Sequence, residues 1–353
     1  MHMTPTRWAL LIAAGVAAAA LTIDPAAALP ERLEGRLIQE TVRRNLRSVR
    51  TDLFHDGRVH VVILGSGTPQ PRTGRLPQST AVITGDRFIV VDAGEGAGRK
   101  IADLKLSLDK VTDVLITHFH SDHIGGLGQL LNQSWNAGRT QPIVVWGPEG
   151  IEELMAALER FYEPDIRYRS AGKVESNDPA LALGEVRSFE MVEGESEWLL
   201  SDEDGIRITA FRVDHGHVFP AVGYRIEALG RSVVISGDTV ATPLVVQAAK
   251  GADLLVHEAV NADMMRSAAV ALDEAGLPTE AARARGVVAY HADILEVADV
   301  AHEAGVRHLV LSHLLPAPPN RIAESIFVEG MNERFDGEIT LARDGMEFAL
   351  DPR

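Results

Sequence analysis

The first half of the chain is divided into short apolar runs rich in β-branched residues, each followed by a polar turn. Residues 59–64, 80–84, 88–91 and 111–117 are runs of this kind, and their composition and length predict four strands. The first run ends at Gly65-Ser66-Gly67-Thr68-Pro69, whose glycines and proline are typical of a turn.

From residue 124 onward, predicted helices alternate with further strands. Residues 124–131 and 148–161 are predicted as helices. The remaining apolar runs predict strands at residues 143–146, 206–213, 221–226, 233–236 and 306–311. Strand meanders mixed with strand–helix units favour an α/β fold in which helices cover the outer faces of the sheets.

Two further segments have their own predicted structures. Residues 163–178 are polar and irregular, which predicts a long surface loop near the site. Residues 338–349, around Asp344-Gly345, predict a closing hairpin.

The N-terminus has the pattern of an export signal. Arg7 precedes an apolar run over residues 8–23, and Pro25-Ala26-Ala27-Ala28 supplies the small residues of a cleavage site. The run is shorter than the roughly 20 residues of a membrane-spanning helix, which favours cleavage over a retained anchor. We predict export to the periplasm or the exterior, and three segments: a signal peptide over residues 1–28, a helical lead-in over 29–55, and the main domain over 56–353.

Composition narrows the classes of partner. The 353 residues carry a formal net charge of -16 and contain no cysteine. An acidic surface repels phosphate backbones, which argues against a nucleic-acid binder, although bound cations can reverse the charge locally. Without cysteine, any metal must be held by His, Asp, Glu or backbone groups.

One short run concentrates metal-binding side chains. His118-Phe119-His120-Ser121-Asp122-His123 follows a predicted strand and precedes Gly125-Gly126. His118 and His120 are two apart, so both side chains point to one face of an extended segment. Three imidazoles and a carboxylate within six residues predict a metal site that suits zinc, with iron or manganese as competitors.

Further ligand types directly follow other predicted strands. Asp214-His215, Ser236-Gly237-Asp238-Thr239 and Ser312-His313 each come at the end of an apolar run. Strand ends are where α/β folds concentrate their sites. These residues are therefore predicted to supply the ligands that the first cluster lacks.

Together the motifs resemble those of the metallo-β-lactamase superfamily, whose H-x-H-x-D-H signature matches His118 to His123. The likeness extends over most of residues 59–349. Further segments are similar to the ribonuclease Z branch, which includes the type II arylsulfatases and related phosphodiesterases: Leu64-Gly65-Ser66-Gly67-Thr68-Pro69, Asp92-Ala93-Gly94-Glu95-Gly96, Ser236-Gly237-Asp238-Thr239 and His257-Glu258-Ala259. The resemblance implies a four-layer αββα sandwich with two mixed β-sheets flanked by helices.

The resemblance also implies two metal ions per chain, expected to be Zn²⁺, with Mn²⁺ or Fe²⁺ as alternatives. One would be held by His118, His120 and His215. The second would be held by Asp122, His123 and His313, with Asp238 bridging both. A hydroxide between the two metals would be the nucleophile, and Asp122 would orient or deprotonate it.

In that branch a histidine that is not a ligand donates a proton to the leaving group. His291, within Tyr290-His291-Ala292-Asp293, falls at its position, and Glu258 would orient it. His257 is either a buried support for the site or a substrate contact. His217 and Phe219 are expected to line the pocket.

The expected substrate differs from that of ribonuclease Z, in which a long arm that grips tRNA follows the motif of His215. Here the gap to Asp238 is too short for that arm. Together with export and the acidic surface, this favours a secreted hydrolase of a small anionic ester, either a phosphodiester or an aryl or alkyl sulfate. We therefore predict no nucleic-acid partner and no stable membrane anchor, and a homodimer by analogy alone. The apolar residues 314–319 predict an apolar pocket for the leaving group.

Three other functions could be carried on the same fold. A lactone or β-lactam hydrolase could use the same metal centre. An iron redox enzyme on this fold would be favoured by a glutamate in place of His120, and that glutamate is absent. A non-catalytic binding protein would lack ligands, and none of the expected ones is missing.

Overall fold

The computed structural model describes residues 31–70, 74–171 and 178–353. The predicted signal peptide lies outside the described residues, so export stays a prediction. The chain divides into two units at Thr51 and Asp52, and the first contains helix α1 (Glu31–Arg47). Within the described residues, no helix combines the length and apolar character needed to cross a membrane.

The second unit contains the strands and the remaining helices. Its described strands are β1 (Val59–Gly65), β2 (Ser79–Thr84), β3 (Arg87–Val91), β4 (Asp113–Leu115), β5 (Val144–Pro148), β6 (Glu185–Phe189), β7 (Glu197–Glu203), β8 (Ile206–Arg212), β9 (Val222–Ala228), β10 (Arg231–Ile235), β11 (Leu254–Val260), β12 (His308–Leu315), β13 (Glu338–Leu341) and β14 (Glu347–Leu350). Its described helices are α2 (Ala97–Asp103), α3 (Ser121–Ile124), α4 (Leu127–Asn136), α5 (Ile151–Ser170), α6 (Pro243–Ala248), α7 (Ala262–Glu274), α8 (Pro278–Gly286), α9 (Ile294–Ala304) and α10 (Arg321–Phe327).

The strands form two seven-stranded sheets with related topologies. The first has the order β14-β1-β2-β3-β4-β5-β6 and the second β13-β12-β11-β10-β9-β8-β7. In the first sheet, β14, β1, β2 and β3 pair antiparallel, and β3 through β6 pair parallel. In the second, β7 through β10 pair antiparallel, and β10 through β13 pair parallel. Both sheets are therefore mixed, as predicted.

Helices cover both outer faces, and the sheets bury their inner faces against each other. One core lies between the sheets and includes Ile63 and Val91 from the first and Tyr224 and Val256 from the second. Two further cores join α2, α4 and α5 to the first sheet, and α6, α9 and α10 to the second. Every residue of β1 and of β11 is buried, because central strands with helices on one face and a sheet on the other meet no solvent. The predicted αββα sandwich is confirmed.

The predicted closing hairpin at residues 338–349 is wrong. β13 pairs with β12 in the second sheet, whereas β14 pairs with β1 in the first. The turn at Asp344 therefore passes from one sheet to the other. Its carboxylate accepts hydrogen bonds from the backbone amides of Ser66 and Leu76, which ties this crossing to the loop that follows β1.

The predicted surface loop over residues 163–178 is also wrong in its first half, where α5 continues to Ser170. Pro164 lies inside this helix on its exposed side. Contacts with α4 support the continuation, because the Tyr162 ring lies against Gly128 and Asp165 accepts a 2.8 Å hydrogen bond from Asn132.

Candidate metal centre

The predicted ligands lie at one edge of the sandwich, at the ends of strands from both sheets. The run from His118 to His123 follows β4, His215 follows β8, Asp238 follows β10, and His313 lies near the end of β12. Because the two sheets face each other, the ends of their strands converge on a common space. Residues up to 195 positions apart in sequence, from His118 to His313, are thereby brought together.

One group of side chains consists of His118, His120 and His215 with Asp238. One nitrogen or oxygen from each lies within 4.8 Å of all the others. Nδ1 of His120 is 3.0 Å from Nε2 of His118 and 3.4 Å from Nε2 of His215. Three imidazole nitrogens that converge in this way can share one cation.

A second group consists of Asp122, His123 and His313, again with one ligand atom each within 4.8 Å. Oδ2 of Asp122 is 3.1 Å from Nε2 of His313 and 3.6 Å from Nε2 of His123. All three side chains are buried. This group has the donor set of a second cation site.

Asp238 lies between the two groups. Its Oδ2 is 3.4 Å from Nε2 of both His123 and His313, 3.7 Å from that of His215 and 3.8 Å from that of His118. Oδ1 of Asp238 and Nε2 of His123 are buried and have no hydrogen-bond partner among the described residues. Buried polar atoms without partners are costly, and cations between the two groups would satisfy both atoms. The residues present therefore fit two metal ions.

The electrostatic field between these groups also favours cations. Burial holds the pKa of His118 well below its usual value, so its imidazole is neutral. Burial opposes ionisation of Asp238, but His313 and His123 outweigh it and hold its pKa well below the usual range. Burial also opposes protonation of His313, yet the Asp238 and Asp122 carboxylates raise its pKa to about 9, which shows how strongly this space favours positive charge.

His291 and Glu258 form a separate pair beside the second group. Nδ1 of His291 donates to Oε1 of Glu258 over 3.0 Å. The same oxygen accepts from the backbone amides of Thr239 and Ala292. These hydrogen bonds hold Glu258 rigidly. Because Nδ1 of His291 is engaged by Glu258, Nε2 is the nitrogen that can interact with a ligand in the cavity that His291 lines.

Two other histidines singled out by sequence lie outside that cavity. His257 is fully buried, with Nδ1 2.6 Å from the carbonyl oxygen of Glu258, so it is not placed to contact a substrate. His217 is exposed and meets the Tyr290 ring edge-on at 5.4 Å. His217 and Phe219 are not among the cavity-lining residues, so the expectation that they line the pocket is wrong.

Sequence reasoning gave no role to Asp92, which supports the second group. Its Oδ2 accepts from Nδ1 of His123 over 2.7 Å, and its Oδ1 accepts from the backbone amide of Thr117 over 2.9 Å. Asp92 is fully buried and has a left-handed backbone, with φ of 58°. A carboxylate that receives the far nitrogen of a ligand histidine fixes the orientation of the ring. The feature of the sequence that marks this position is the Asp-Ala-Gly turn after β3. Gly94 in this turn allows the backbone of Asp122 to approach, because a Cβ there would lie 2.5 Å from the backbone oxygen of Asp122.

We expect Asp92→Asn to weaken metal binding by about 10–100-fold, because the ring of His123 loses its anionic partner. Metal titration of the stripped protein measures the dissociation constant. Asp86→Asn, an exposed change in the turn between β2 and β3, is the matched control. An unchanged dissociation constant for Asp92→Asn would show that Asp92 does not orient the ligand.

The cavity above the ligands has a volume of about 770 Å³, within the range of small-molecule sites. Its floor is polar and includes His120, Asp122, Asp238, His291 and His313. One wall is apolar and comes mainly from α7, α8 and the turn Val287–Tyr290.

Comparison with known proteins identifies the family. Residues 87–314 match the family model described as "Beta-lactamase superfamily domain". The chain belongs to the β-lactamase superfamily. This superfamily chain is 33% identical over 298 residues to "Ribonuclease Z" of Mycobacterium bovis, a match that covers 84% of the chain and 99% of that relative. The predicted resemblance to the ribonuclease Z branch is confirmed.

Solved structures of the superfamily share the fold. Human tRNase Z, short form, has a TM-score of 0.59 and 24% identity, with 82% of this chain and 99% of that chain covered. The metallo-β-lactamase fold protein YhfI from Bacillus subtilis has a TM-score of 0.57 and 19% identity, with 83% and 99% covered. The family, the fold and the two clustered donor groups make this superfamily member a metal-dependent hydrolase of ester bonds with a dinuclear site.

The comparisons overturn the predicted substrate class. The expectation of a small anionic ester as substrate, either a phosphodiester or an aryl or alkyl sulfate, with no nucleic-acid partner, is wrong, since the matched relatives are ribonucleases along nearly their whole length. The net charge of -16 averages the whole chain, whereas a substrate meets the local field of the cavity. Two divalent cations facing the carboxylates of Asp122 and Asp238 would make the cavity floor cationic.

Proposed function

We propose that this chain is a zinc-dependent phosphodiesterase that cleaves RNA. The observation that carries the proposal is the identity of 33% to Ribonuclease Z across 99% of that relative, in a chain that retains both donor groups. Phosphodiester cleavage suits the site, because its transition state places negative charge on oxygens that two cations can stabilise. Zinc is proposed since imidazole and carboxylate donors dominate the two groups.

The segment between His215 and Asp238 bears on how RNA would be held. It forms a short turn followed by β9 and β10, which agrees with the absence of the arm expected in ribonuclease Z. We take this absence to limit the grip on distant parts of an RNA, while the cleavage chemistry at the strand ends is unaffected. Export and a homodimer stay predictions.

The proposed ligands are His118, His120 and His215 for one ion and Asp122, His123 and His313 for the other, with Asp238 between them. When bound, the two ions would lower the pKa of a water toward about 7 and stabilise the charge of the transition state. Asp122, which lines the cavity, orients the attacking water and accepts its proton on a carboxylate oxygen. The imidazole of His291 donates a proton from Nε2 to the leaving oxygen, and Glu258 holds the opposite nitrogen.

The proposal is tested with purified protein whose metal content is measured. A precursor tRNA with a 3′ trailer and an unstructured RNA of equal length serve as substrates. We expect cleavage of RNA with two zinc ions per chain, loss of cleavage after chelation, and recovery on adding Zn²⁺. If both RNAs stay intact at full metal occupancy, the proposed function is wrong.

A further inference from the structure

Helices α7 and α8 form a small unit beside the site, between β11 and His291 in sequence. They pack on each other and on the ends of β11 and β12 through an apolar cluster that is separate from the three main cores: Val260, Met265, Ala269, Ala281, Ala284 and Leu315. Asn261 caps α7 by accepting from the amide of Met264 over 2.9 Å. The helix pair therefore has its own core and presents one side of it to the cavity.

That side is apolar. The cavity is lined there by Met265, Ala268, Leu272, Ala284, Val287 and Tyr290, which we call the α7–α8 recess. Ala268, Leu272 and Val287 are only half-buried, so part of their apolar surface is open to a ligand. Glu280 and Arg283 are the charged residues of the described helix pair that line the cavity.

The recess adjoins the proton donor. The turn Val287–Tyr290 leads directly into His291, and the Tyr290 ring lies 4.9 Å from the ring of His291 and 5.3 Å from that of His215. The backbone carbonyl of Tyr290 also accepts from Nδ1 of His215 over 2.9 Å. A group bonded to the oxygen that His291 protonates therefore lies within reach of the recess.

We propose that the α7–α8 recess binds the nucleobase of the nucleotide whose oxygen leaves. The inference rests on the proposed function. A nucleobase has two apolar faces, and stacking on such surfaces is largely independent of base identity. In this arrangement the phosphodiester lies on the polar floor of the cavity, and the adjacent base is transferred from water onto the apolar wall. A base bound in this way cannot remain paired, so the enzyme requires an unpaired nucleotide at the cleavage point.

The test uses the RNA found to be cleaved above, after mapping its cleavage site. The base of the nucleotide on the leaving side is removed in one synthetic RNA and that on the other side in a second, with the intact RNA as reference. We expect the wild-type enzyme to lose roughly tenfold or more in kcat/KM with the first abasic RNA, the effect of one stacked base, and little with the second.

Two variants at half-buried positions connect the effect to the recess. Leu272→Ser removes apolar surface, and Ala268→Trp fills the space. In each variant, kcat/KM for the intact RNA and for the first abasic RNA should differ by no more than about twofold, because stacking of the base no longer contributes to binding. Val270→Ser, a change at an exposed position of the same helix, should retain the wild-type difference. A variant that is merely less stable loses activity on both RNAs equally and keeps their ratio.

If the wild-type enzyme cleaves the intact RNA and the first abasic RNA equally well, the recess does not bind this nucleobase, while the proposed function stands. Persistence of the full difference in both Leu272→Ser and Ala268→Trp would overturn it too. If no RNA is cleaved at full metal occupancy, the proposed function fails and the recess fails with it.

Discussion

Asp238→Ala should lower RNA cleavage by about 10³-fold or more, the upper end of what the loss of one charge-stabilising group costs. The physical reason is its central position: one carboxylate oxygen lies within 3.4–3.8 Å of nitrogens from four histidines. Without it, neither donor group has its shared anion, and the two cations would repel each other without compensation. Metal analysis of the purified variant should show fewer than two ions per chain.

Asp202→Ala is the matched control for this experiment. Asp202 is an exposed aspartate whose partner is Arg207 at 2.8 Å, and surface pairs of this kind contribute about 0–1 kcal/mol to stability. The control should keep both its metal content and its activity. Full metal occupancy and undiminished cleavage in Asp238→Ala would show that Asp238 is not the bridging ligand.

His291→Ala should lower cleavage of RNA by about 10²–10⁴-fold, the usual contribution of a positioned general acid. The loss should be much smaller with an aryl phosphodiester such as bis(p-nitrophenyl) phosphate, because p-nitrophenolate leaves without needing a proton. The contrast between the two substrates therefore reports proton donation itself. Glu258→Gln should follow the same pattern with a smaller loss, since it keeps the hydrogen bond to Nδ1 and removes the charge that stabilises the imidazolium.

His217→Ala is the matched control, because His217 also contacts the Tyr290 ring but is exposed and lies outside the cavity lining. It should cleave both substrates at the wild-type rate. An equal loss on RNA and on the aryl ester in His291→Ala would instead indicate that His291 supports the metal centre and donates no proton. Metal analysis of that variant separates these two explanations.

Several features of this protein can be predicted from the sequence alone. The strands β1, β2 and β3 follow from dense runs of β-branched residues, since central strands in contact with protein on both faces tolerate little else. His118 to His123 can be recognised because their chemistry is carried by residue type and short spacing. His215, Asp238 and His313 could be added because each stands directly after an apolar run, and the family resemblance then indicated the fold.

Other features were decided only by contacts between distant parts of the chain. β13 and β14 are separated by a short turn, yet they join different sheets, because each pairs with a strand remote in sequence. Helix α5 extends past Pro164 because α4 packs against it. Local pattern carries no information on such partners.

The site shows the same division. The Asp-Ala-Gly turn marked Asp92 as unusual, but its contact with His123 followed only from the pairing of β3 with β4, and the apolar wall of the cavity exists only because α7 and α8 pack beside His291. The substrate class was misjudged in part from the net charge, which sums over all residues, whereas the field at a cavity depends on the few charges that the fold places around it. Sequence thus determined which side chains can bind metal and donate protons, while tertiary structure decided what they face, because burial and distance arise only when remote segments meet.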